Sequence, residues 1–534
     1  MKPLIVAAMA AFFAHGAAAA EYGTPRELVP ASPFHGVHGL AVDARGRLLA
    51  GSVVGNSIWQ VDRKTGKASE FVGGPLGQAD DIAIGPNGEM AWTSYLQGVL
   101  RMRASDDGEI VDVAKGLPGI NSLAFDQSNG KLYGSQVFLG DALYEFDRNG
   151  GKPRLIAKGM GGFNGFEVGK DGMLYGPLWF KGQVARIDPA DGKITVVADG
   201  FAIPAAVNFD SRGMLWVVDT KRGELVEVDP KTGNKGRVVK LATSLDNLAI
   251  GKDDAIFVSN MADHSIVEVD GKTGATRTIV TGKASVPAGL KLSEDGKTVY
   301  FADIFALRSV DTETGKVTDI RRMQASDLEY PFSVGLTSKH LLATSWFTGS
   351  VQVIDRASMK TLGWVHKLKA PTDALELPDG SILVCEIATG NIVRAHGDKW
   401  HEMAPVVSGL KGPVQMIMGK DGMIYVTEAA GTVTRVNPKD WSTATVAKGL
   451  ALPEGIAQAP DGRLIVAEAA AKRLTAIDIG TGKTEVLVEN LPIGLAASPG
   501  MPPSYVITGV DVDKAGVIYV SADINNAIYR IAPK

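Results

Sequence analysis

The stretch from Phe163 to Asp188, FNGFEVGKDGMLYGPLWFKGQVARID, carries the plan that decides the fold. FEV, MLYGPLW and VARID are short apolar runs, GKDG and KGQ are turns between them, and a further run, ITVVADG, follows. Short apolar runs separated by glycine-containing turns are typical of antiparallel β-strands joined by hairpins. The stretch therefore predicts a small sheet of four strands.

The same plan recurs along nearly the whole chain. The first apolar residues of the predicted inner strands are spaced 40 to 44 residues apart, with 54 before the last: Leu40, Ile82, Leu123, Phe166, Val207, Leu248, Leu290, Val334, Ala374, Met416, Ile456 and Val510. A period near 40 with several strands per repeat is typical of β-propeller blades, which need neighbouring blades to bury their faces. We predict an all-β fold of twelve four-stranded blades.

Two arrangements of twelve blades remain open. The last repeat, GVIYVSADINNAIYRIAPK, has three strands, whereas an extra strand, PRELVP, precedes the first repeat. We predict two six-bladed propellers in tandem, in which PRELVP completes the sixth blade and TRTIVTG completes the twelfth, because closed rings leave no exposed sheet edges. The boundary then lies near Gly271 and gives domains 21–271 and 272–534. The alternative is a single twelve-bladed ring with PRELVP on blade twelve, which needs a wide, poorly filled centre.

Composition limits the class of protein. The chain has 534 residues and a formal net charge of −4, so it has no basic surface that would indicate a nucleic-acid partner. Residues 1–20 resemble an export signal, with Lys2, an apolar run and Ala18 to Ala20, which predicts a periplasmic or secreted protein without a transmembrane span in its mature form. Cys385 is the only cysteine, which excludes intrachain disulfides and a cysteine-based zinc site, and we expect it to be packed.

Residues just before each inner strand line the channel mouth of a propeller, where ligands usually bind. Two positions before the inner strands, the first half carries His38, Asp80, Asn121, Asn164, Ala205 and Asp246, whereas the second half carries Ala288, Phe332, Thr372, Val414, Glu454 and Thr508. A single Asp or Asn at such a place often only supports a turn. Four together, Asp80, Asn121, Asn164 and Asp246, favour a site for a divalent cation such as calcium, with Asp81 and Asn247 as alternatives one residue along.

His38 is the predicted catalytic residue of this ring, and His35 is a second candidate. An imidazole beside a cation could act as general base on a small-molecule substrate. Acidic residues near the ends of second strands recur in both halves and are predicted to support turns: Asp219, Asp303, Glu386, Glu428, Glu468 and Asp523. Aromatic residues of the same loops are predicted to wall a pocket: Tyr95, Phe138, Trp179, Phe180, Trp346 and Phe347.

At these residues the sequence resembles the gluconolactonase and senescence-marker-protein superfamily, and more distantly the paraoxonases and streptogramin lyase. ADDIAIGPNGEMAWTS, INSLAFDQSNGKLYGS and FNGFEVGKDGMLYG are similar to that superfamily's strands that begin with Asn-Asp or Asn-Gly. The resemblance implies six-bladed propellers with one divalent cation in the channel, often serving lactone or ester hydrolysis. His38 stands where the superfamily has a metal-binding glutamate, and LPEGIA at Glu454 is closer to that motif.

The leading hypothesis is an exported, metal-dependent hydrolase of a small lactone or ester, with its site in the first propeller. A lyase on the same metal platform and a non-catalytic scaffold that binds a protein or small ligand are the alternatives. The second propeller is expected to be structural or to cover part of the site, and it could bind a protein partner. Its Pro- and Gly-rich segment, Leu491 to Tyr505, is predicted to overhang the channel of the second propeller as a lid or docking loop, or to be a tolerated long connection.

Overall fold

The computed structural model describes residues 21–534 and contains twelve four-stranded antiparallel sheets. The predicted export signal, residues 1–20, lies outside the described residues. Each sheet is one blade, numbered here in chain order of its inner strand. Among residues 21–534, no helix is long and apolar enough to cross a lipid bilayer.

The first six blades use consecutive strands of the chain. Their strands are β2 Leu40–Val42, β3 Leu48–Ser52, β4 Ser57–Val61 and β5 Ala68–Val72 in blade 1; β6 Ile82–Ile84, β7 Met90–Ser94, β8 Val99–Arg103 and β9 Val111–Ala114 in blade 2; β10 Ile120–Phe125, β11 Leu132–Gln136, β12 Ala142–Phe146 and β13 Arg154–Lys158 in blade 3; β14 Glu167–Val168, β15 Leu174–Leu178, β16 Gln183–Ile187 and β17 Ile194–Ala198 in blade 4; β18 Pro204–Phe209, β19 Leu215–Asp219, β20 Glu224–Val228 and β21 Lys235–Lys240 in blade 5; and β22 Leu245–Ile250, β23 Ala255–Asn260, β24 Ser265–Asp270 and β25 Thr276–Val280 in blade 6.

The last six blades follow the same order, except that the outer strand of blade 12 comes from the N-terminal region. Their strands are β26 Leu290–Leu292, β27 Thr298–Ala302, β28 Ala306–Asp311 and β29 Val317–Arg322 in blade 7; β30 Ser333–Leu336, β31 His340–Ser345, β32 Ser350–Asp355 and β33 Thr361–Val365 in blade 8; β34 Pro371–Glu376, β35 Ile382–Glu386, β36 Asn391–His396 and β37 Glu402–Val407 in blade 9; β38 Pro413–Met418, β39 Ile424–Glu428, β40 Thr432–Val436 and β41 Thr443–Lys448 in blade 10; β42 Pro453–Gln458, β43 Leu464–Glu468, β44 Arg473–Ile477 and β45 Thr484–Val488 in blade 11; and β46 Val510–Val512, β47 Ile518–Ala522, β48 Ala527–Ile531 and β1 Arg26–Val29 in blade 12. Short 3-10 helices cover Trp179–Lys181, Asp398–Trp400 and Ala469–Ala471.

The hairpin turns explain why the repeats fold locally. In blade 4 the amide of Gly172 donates to the carbonyl of Gly169 at 2.9 Å, and Gly172 has φ 76°, which glycine adopts without steric cost. The carboxylate of Asp171 accepts from the hydroxyl of Tyr175 at 2.8 Å and ties the turn to strand β15. The turn chemistry read from the sequence therefore forms the predicted hairpin.

The blades form two closed six-bladed propellers, as predicted. Inner strand β2 of blade 1 packs beside β22 of blade 6, and β26 of blade 7 packs beside β46 of blade 12. The first ring is closed by side chains such as Leu48 and Phe257, and the second by Phe301 and Tyr519. Burial of apolar side chains between the first and last blades therefore closes each ring.

The predicted exchange of outer strands is wrong. PRELVP forms β1, which pairs with β48 in blade 12, and TRTIVTG forms β25, which pairs with β24 in its own blade 6. β25 follows β24 through a tight turn in which the amide of Gly274 donates to the carbonyl of Asp270 at 2.7 Å, and local pairing costs little loop entropy. The chain therefore passes between the propellers twice, over 30–39 and over 281–289, rather than near Gly271.

The two propellers meet through the faces that carry the loops between second and third strands. Val54 and Met261 of the first propeller share one apolar cluster with Phe305 and Trp346 of the second. Gly36 has φ 74°, and a Cβ there would lie 2.2 Å from the ring of Phe305. Close packing at this interface turns the channel mouth of the first propeller towards the second.

Candidate functional site

The five predicted polar channel residues of the first propeller line one cavity between the propellers: His38, Asp80, Asn121, Asn164 and Asp246. The space between the lining atoms amounts to about 710 Å³, part of it open to solvent. Ala205, at the equivalent place in blade 5, is not among the lining residues. The register read from the repeats thus places side chains from five blades around one space.

Backbone pairing near the channel axis holds these residues in place. The amide of His38 donates to the carbonyl of Gly51 at 2.9 Å, and the amide of Asp80 donates to the carbonyl of Thr93 at 2.9 Å. The next residue in blade 1, Gly39, lies so close to blade 2 that a Cβ would be 2.5 Å from the carbonyl oxygen of Asp80. Glycine at this place lets neighbouring blades approach and brings their polar side chains together.

His38 pairs with two carboxylates through a single ring nitrogen. Its Nδ1 lies 3.0 Å from Oδ2 of Asp246 and 3.5 Å from Oδ1 of Asp80. Burial acts to lower the pKa of His38, but the hydrogen bond to Asp246 and the charges of both carboxylates outweigh it, so the pKa is raised. Its Nε2 is buried and has no hydrogen-bond partner among residues 21–534, and Phe305 packs edge-on against the ring at 5.3 Å.

Asp80 is a buried carboxyl group in a crowded acidic environment. Burial raises its pKa to about 8, and the negative charges of Asp246 and Asp81 add to the rise, whereas His38 opposes it. Removing two carboxylates from water is unfavourable unless positive charge compensates them. Protonated His38 is one source of that charge, and a cation is another.

The two carboxamides are held by a common serine. The hydroxyl of Ser122 lies 2.9 Å from Oδ1 of Asn121 and 2.8 Å from Oδ1 of Asn164, and it can donate to one of them at a time. Oδ1 of Asn164 also accepts from the amide of Gly165 at 3.0 Å. Sequence reasoning did not select Ser122, which follows Asn121 directly and lies where blades 3 and 4 meet.

Asp81 and Asn247, the alternative metal ligands one residue after Asp80 and Asp246, make structural contacts. Asp81 accepts from the amides of Ile82 at 2.9 Å and Leu123 at 3.2 Å, and from the side chain of Asn247 at 2.9 Å. Burial raises its pKa to about 7. Asp81 and Asn247 therefore link blades 2, 3 and 6 around the axis, and neither lines the cavity.

His35 lies away from the cavity and contacts the second propeller. Its Nε2 is 2.7 Å from the carbonyl oxygen of Asp523 in blade 12, and burial lowers its pKa to about 4. A neutral imidazole in this place bridges the propellers. The structure brings His38 together with the four predicted metal ligands and leaves His35 outside the group.

The second propeller supplies a large share of the cavity wall. Tyr95, Phe138, Trp179, Trp346 and Phe347 line the cavity as predicted, whereas Phe180 does not. Phe305 and Tyr330, which were not selected from the sequence, also line it, together with Phe332 and Tyr505. No signal in the repeats relates one propeller to the other, so the sequence could not show that aromatic residues of blades 7, 8 and 12 share one cavity with the polar residues of the first propeller.

The segment from Leu491 to Tyr505 docks on the first propeller. The side chain of Gln78 donates to the hydroxyl of Ser498 at 2.7 Å, and the indole of Trp346 donates to the carbonyl of Tyr505 at 3.0 Å. Tyr505 is buried and lines the cavity. The segment thus covers the cavity at the first propeller, whereas the sequence predicted that it overhangs the channel of the second propeller.

The recurring acidic residues support turns, as predicted. Asp219 accepts from the amides of Ala202 and Ile203, and Asp523 accepts from the amides of Gly494 and Leu495. Asp303, Glu386, Glu428 and Glu468 bind backbone amides of the preceding loop in the same way. Cys385 is buried among apolar side chains, as expected.

The donor chemistry of the cavity fits a hard cation. Carboxylates of Asp80 and Asp246 and carboxamide oxygens of Asn121 and Asn164 are the ligand types that calcium prefers. Within residues 21–534, no group of three or more His, Cys, Asp or Glu side chains is arranged to hold a metal ion. A cation in this cavity would therefore depend on the carboxamides as well as the carboxylates.

Comparison with known proteins finds solved structures of low sequence identity and low structural similarity. No protein-family model and no curated protein sequence matches it. Solved structures that match include the extracellular domain of a hybrid two-component system from B. thetaiotaomicron, with 12% identity over 96% of this chain and 82% of that chain and a TM-score of 0.35. A streptogramin B lyase structure matches with 13% identity over 62% of this chain and 93% of that chain, with a TM-score of 0.26. These likenesses concern the fold alone.

Proposed function

We propose that the protein is a hydrolase of small lactones or esters, with its reaction centre in the cavity between the two propellers. The observation that carries the proposal is the pair of His38 and Asp246 in the cavity wall. Nδ1 of His38 is bound to the carboxylate, and Nε2 has no hydrogen-bond partner in the described part of the chain. A carboxylate on Nδ1 fixes the tautomer of an imidazole and leaves Nε2 as the basic atom.

His38 can then serve both halves of a hydrolysis. Neutral His38 takes a proton from a water molecule as its oxygen bonds to the substrate carbonyl carbon. The imidazolium, stabilised by Asp246 and Asp80 at 3.0 and 3.5 Å from Nδ1, then gives the proton to the leaving alkoxide. The aromatic cover from the second propeller shields part of the cavity from bulk water, which strengthens the electrostatic interactions there.

We further propose that Asp80, Asn121, Asn164 and Asp246 hold a divalent cation, most simply calcium. When bound, such an ion would polarise the substrate carbonyl and stabilise negative charge on its oxygen. The acidic environment that raises the pKa of Asp80 to about 8 supports this assignment, because a cation relieves repulsion between the buried carboxylates. The export-like residues 1–20 support a periplasmic or secreted location.

The test combines metal analysis with a panel of lactones and esters. We expect His38→Gln to lower turnover by about 10²- to 10⁴-fold while leaving the bound cation in place. His340→Gln is the matched control, because His340 binds Glu376 in the second propeller, outside the cavity. Asn164→Ala is expected to remove the cation.

Three results would count against the proposal. Full turnover in His38→Gln would reject the base, and absence of a divalent ion at millimolar supply would reject the cation. Product formed without oxygen from heavy-oxygen water would indicate the lyase alternative, which uses the same residues but adds no water.

A further inference from the structure

An exposed apolar patch lies at the outer end of the cavity. We define the patch as Phe138, Leu139 and Phe180, whose exposed fractions are 44%, 56% and 62%. Phe138 also lines the cavity, and its ring lies edge-on to Trp179 at 5.1 Å and to Phe180 at 5.8 Å. Trp179 is buried and lines the cavity as well. Aromatic surface therefore continues from the cavity wall to the outside of the molecule.

The patch occupies blades that the second propeller leaves uncovered. It is formed by the loops between second and third strands of blades 3 and 4. The equivalent loops of blades 1, 2 and 6 carry Val54, Leu96 and Met261, which pack in the apolar cluster between the propellers. The cavity is thus closed over blades 1, 2 and 6 and reaches the surface at Phe138.

Local backbone geometry holds the patch in its exposed position. Phe138 has φ 66°, a left-handed conformation that is unfavourable for a bulky side chain. The amide of Leu139 donates to the carbonyl of Val137 at 2.8 Å and fixes this conformation. On blade 4, a Cβ at Gly162 would lie 2.9 Å from the ring of Phe180, so glycine is needed for Phe180 to occupy its place.

We propose that the patch binds the apolar tail of an elongated ligand whose polar head lies beside His38. The inference rests on the proposed hydrolase site and specifies its substrate class as esters or lactones with an extended alkyl or aryl substituent. Of the residues that line the cavity within 21–534, none is Lys or Arg, whereas Asp80 and Asp246 are acidic. No Lys or Arg side chain is therefore available to an anionic head group, whereas a neutral carbonyl head with an apolar tail matches the polar wall beside His38 and the apolar patch.

The test measures binding rather than turnover. Neutral straight-chain amides from butanamide to decanamide, which resist hydrolysis, are titrated calorimetrically into the full chain. Each added CH₂ that reaches apolar surface should tighten binding by about fourfold. The patch variant is Leu139→Ser/Phe180→Ser, at the two patch residues that do not line the cavity. We expect the gain in affinity from butanamide to decanamide to be at least tenfold smaller in this variant than in the wild type, and its butanamide affinity to change by less than about twofold.

The control is Val238→Ser, an exposed valine on outer strand β21, which should leave the whole series unchanged. Equal chain-length dependence in the patch variant and the wild type would overturn the proposal. So would an amide series without any chain-length dependence. Loss of self-association or of binding to phosphatidylcholine vesicles in the patch variant, with the amide series unchanged, would assign the patch to a different partner and also overturn it. Turnover of a short ester in wild type and His38→Gln tests the hydrolase separately.

Discussion

Replacing Glu454 with glutamine is expected to stabilise the second propeller at alkaline pH. Glu454 is buried on β42, and its Oε2 accepts from the amide of Thr508 at 2.7 Å. Burial, with repulsion from Asp523, raises its pKa from 4.5 to about 8. The folded protein therefore keeps a proton that the unfolded chain releases, so this stabilising contribution is complete below pH 4.5 and is lost as the pH rises through 8.

The size of the effect follows from the pKa difference. One pKa unit corresponds to about 1.36 kcal/mol. Because the pKa of Glu454 is about 8 in the folded protein, the free energy of unfolding of the wild type should fall by about 2 to 3 kcal/mol between pH 6 and pH 9. Glutamine resembles the protonated acid and does not titrate. The variant should therefore be more stable than the wild type at both pH values, and its excess stability should grow by that amount from pH 6 to pH 9.

Urea unfolding followed by circular dichroism at both pH values gives the comparison. Glu468→Gln on the same blade is the control with opposite sign, because Glu468 binds Arg473 at 2.8 Å and its pKa is lowered despite burial. Its stabilising contribution is present above its unfolded pKa, so this variant should lose stability at both pH 6 and pH 9. If the wild type and Glu454→Gln lose the same stability between pH 6 and pH 9, Glu454 is not the buried acid that the geometry indicates.

Other substitutions test the interface, the axis and ring closure. Phe305→Ala should cost about 3 to 5 kcal/mol in urea unfolding, because Phe305 is buried against Gly36 and His38. Gly39→Ala should cost about 1 to 3 kcal/mol, since its Cβ would meet the backbone of blade 2; unchanged stability would show that the blades can separate at no cost. Val29→Asn should cost about 2 kcal/mol and expose blade 12 to limited proteolysis, whereas blade 6 should stay resistant if β1 belongs to the second propeller.

The repeat spacing was sufficient to predict the blades but not the pairing of their outer strands. Each blade is formed by contacts within about 40 residues, so turns such as Asp171-Gly172 and the apolar runs beside them specify it locally. The pairing of β1 with β48 joins residues some 500 positions apart. PRELVP resembles any outer strand, and its sequence contains nothing that selects blade 12 over blade 6.

The polar ring was predictable because the repeats share a register. The role predicted for Asn164 depends on the residues at equivalent places in other blades. His38, Asp80 and Asp246 line the same cavity as Asn164. His35 lies three residues before His38, yet its ring contacts the other propeller. Side-chain direction in a loop depends on the partner surface, which the periodic pattern does not describe.

The packing of the two propellers against each other determines features of the cavity that the repeat pattern could not predict. A six-bladed ring alone would leave the buried acidic group of Asp80 and Asp246 at an open channel mouth, where water would stabilise their charges. The second propeller contributes Phe305 and Tyr505 to the wall of the same cavity, and burial raises the pKa of Asp80 to about 8. The negative charge of Asp80 is therefore removed by a proton or balanced by protonated His38 or a cation. Because the cover is apolar and the floor is acidic, a ligand of this cavity must offer apolar surface to one propeller and a polar group to the other. The second propeller is therefore part of the site, and a chain shortened to the first six blades should lose the selectivity of the cavity together with its cover.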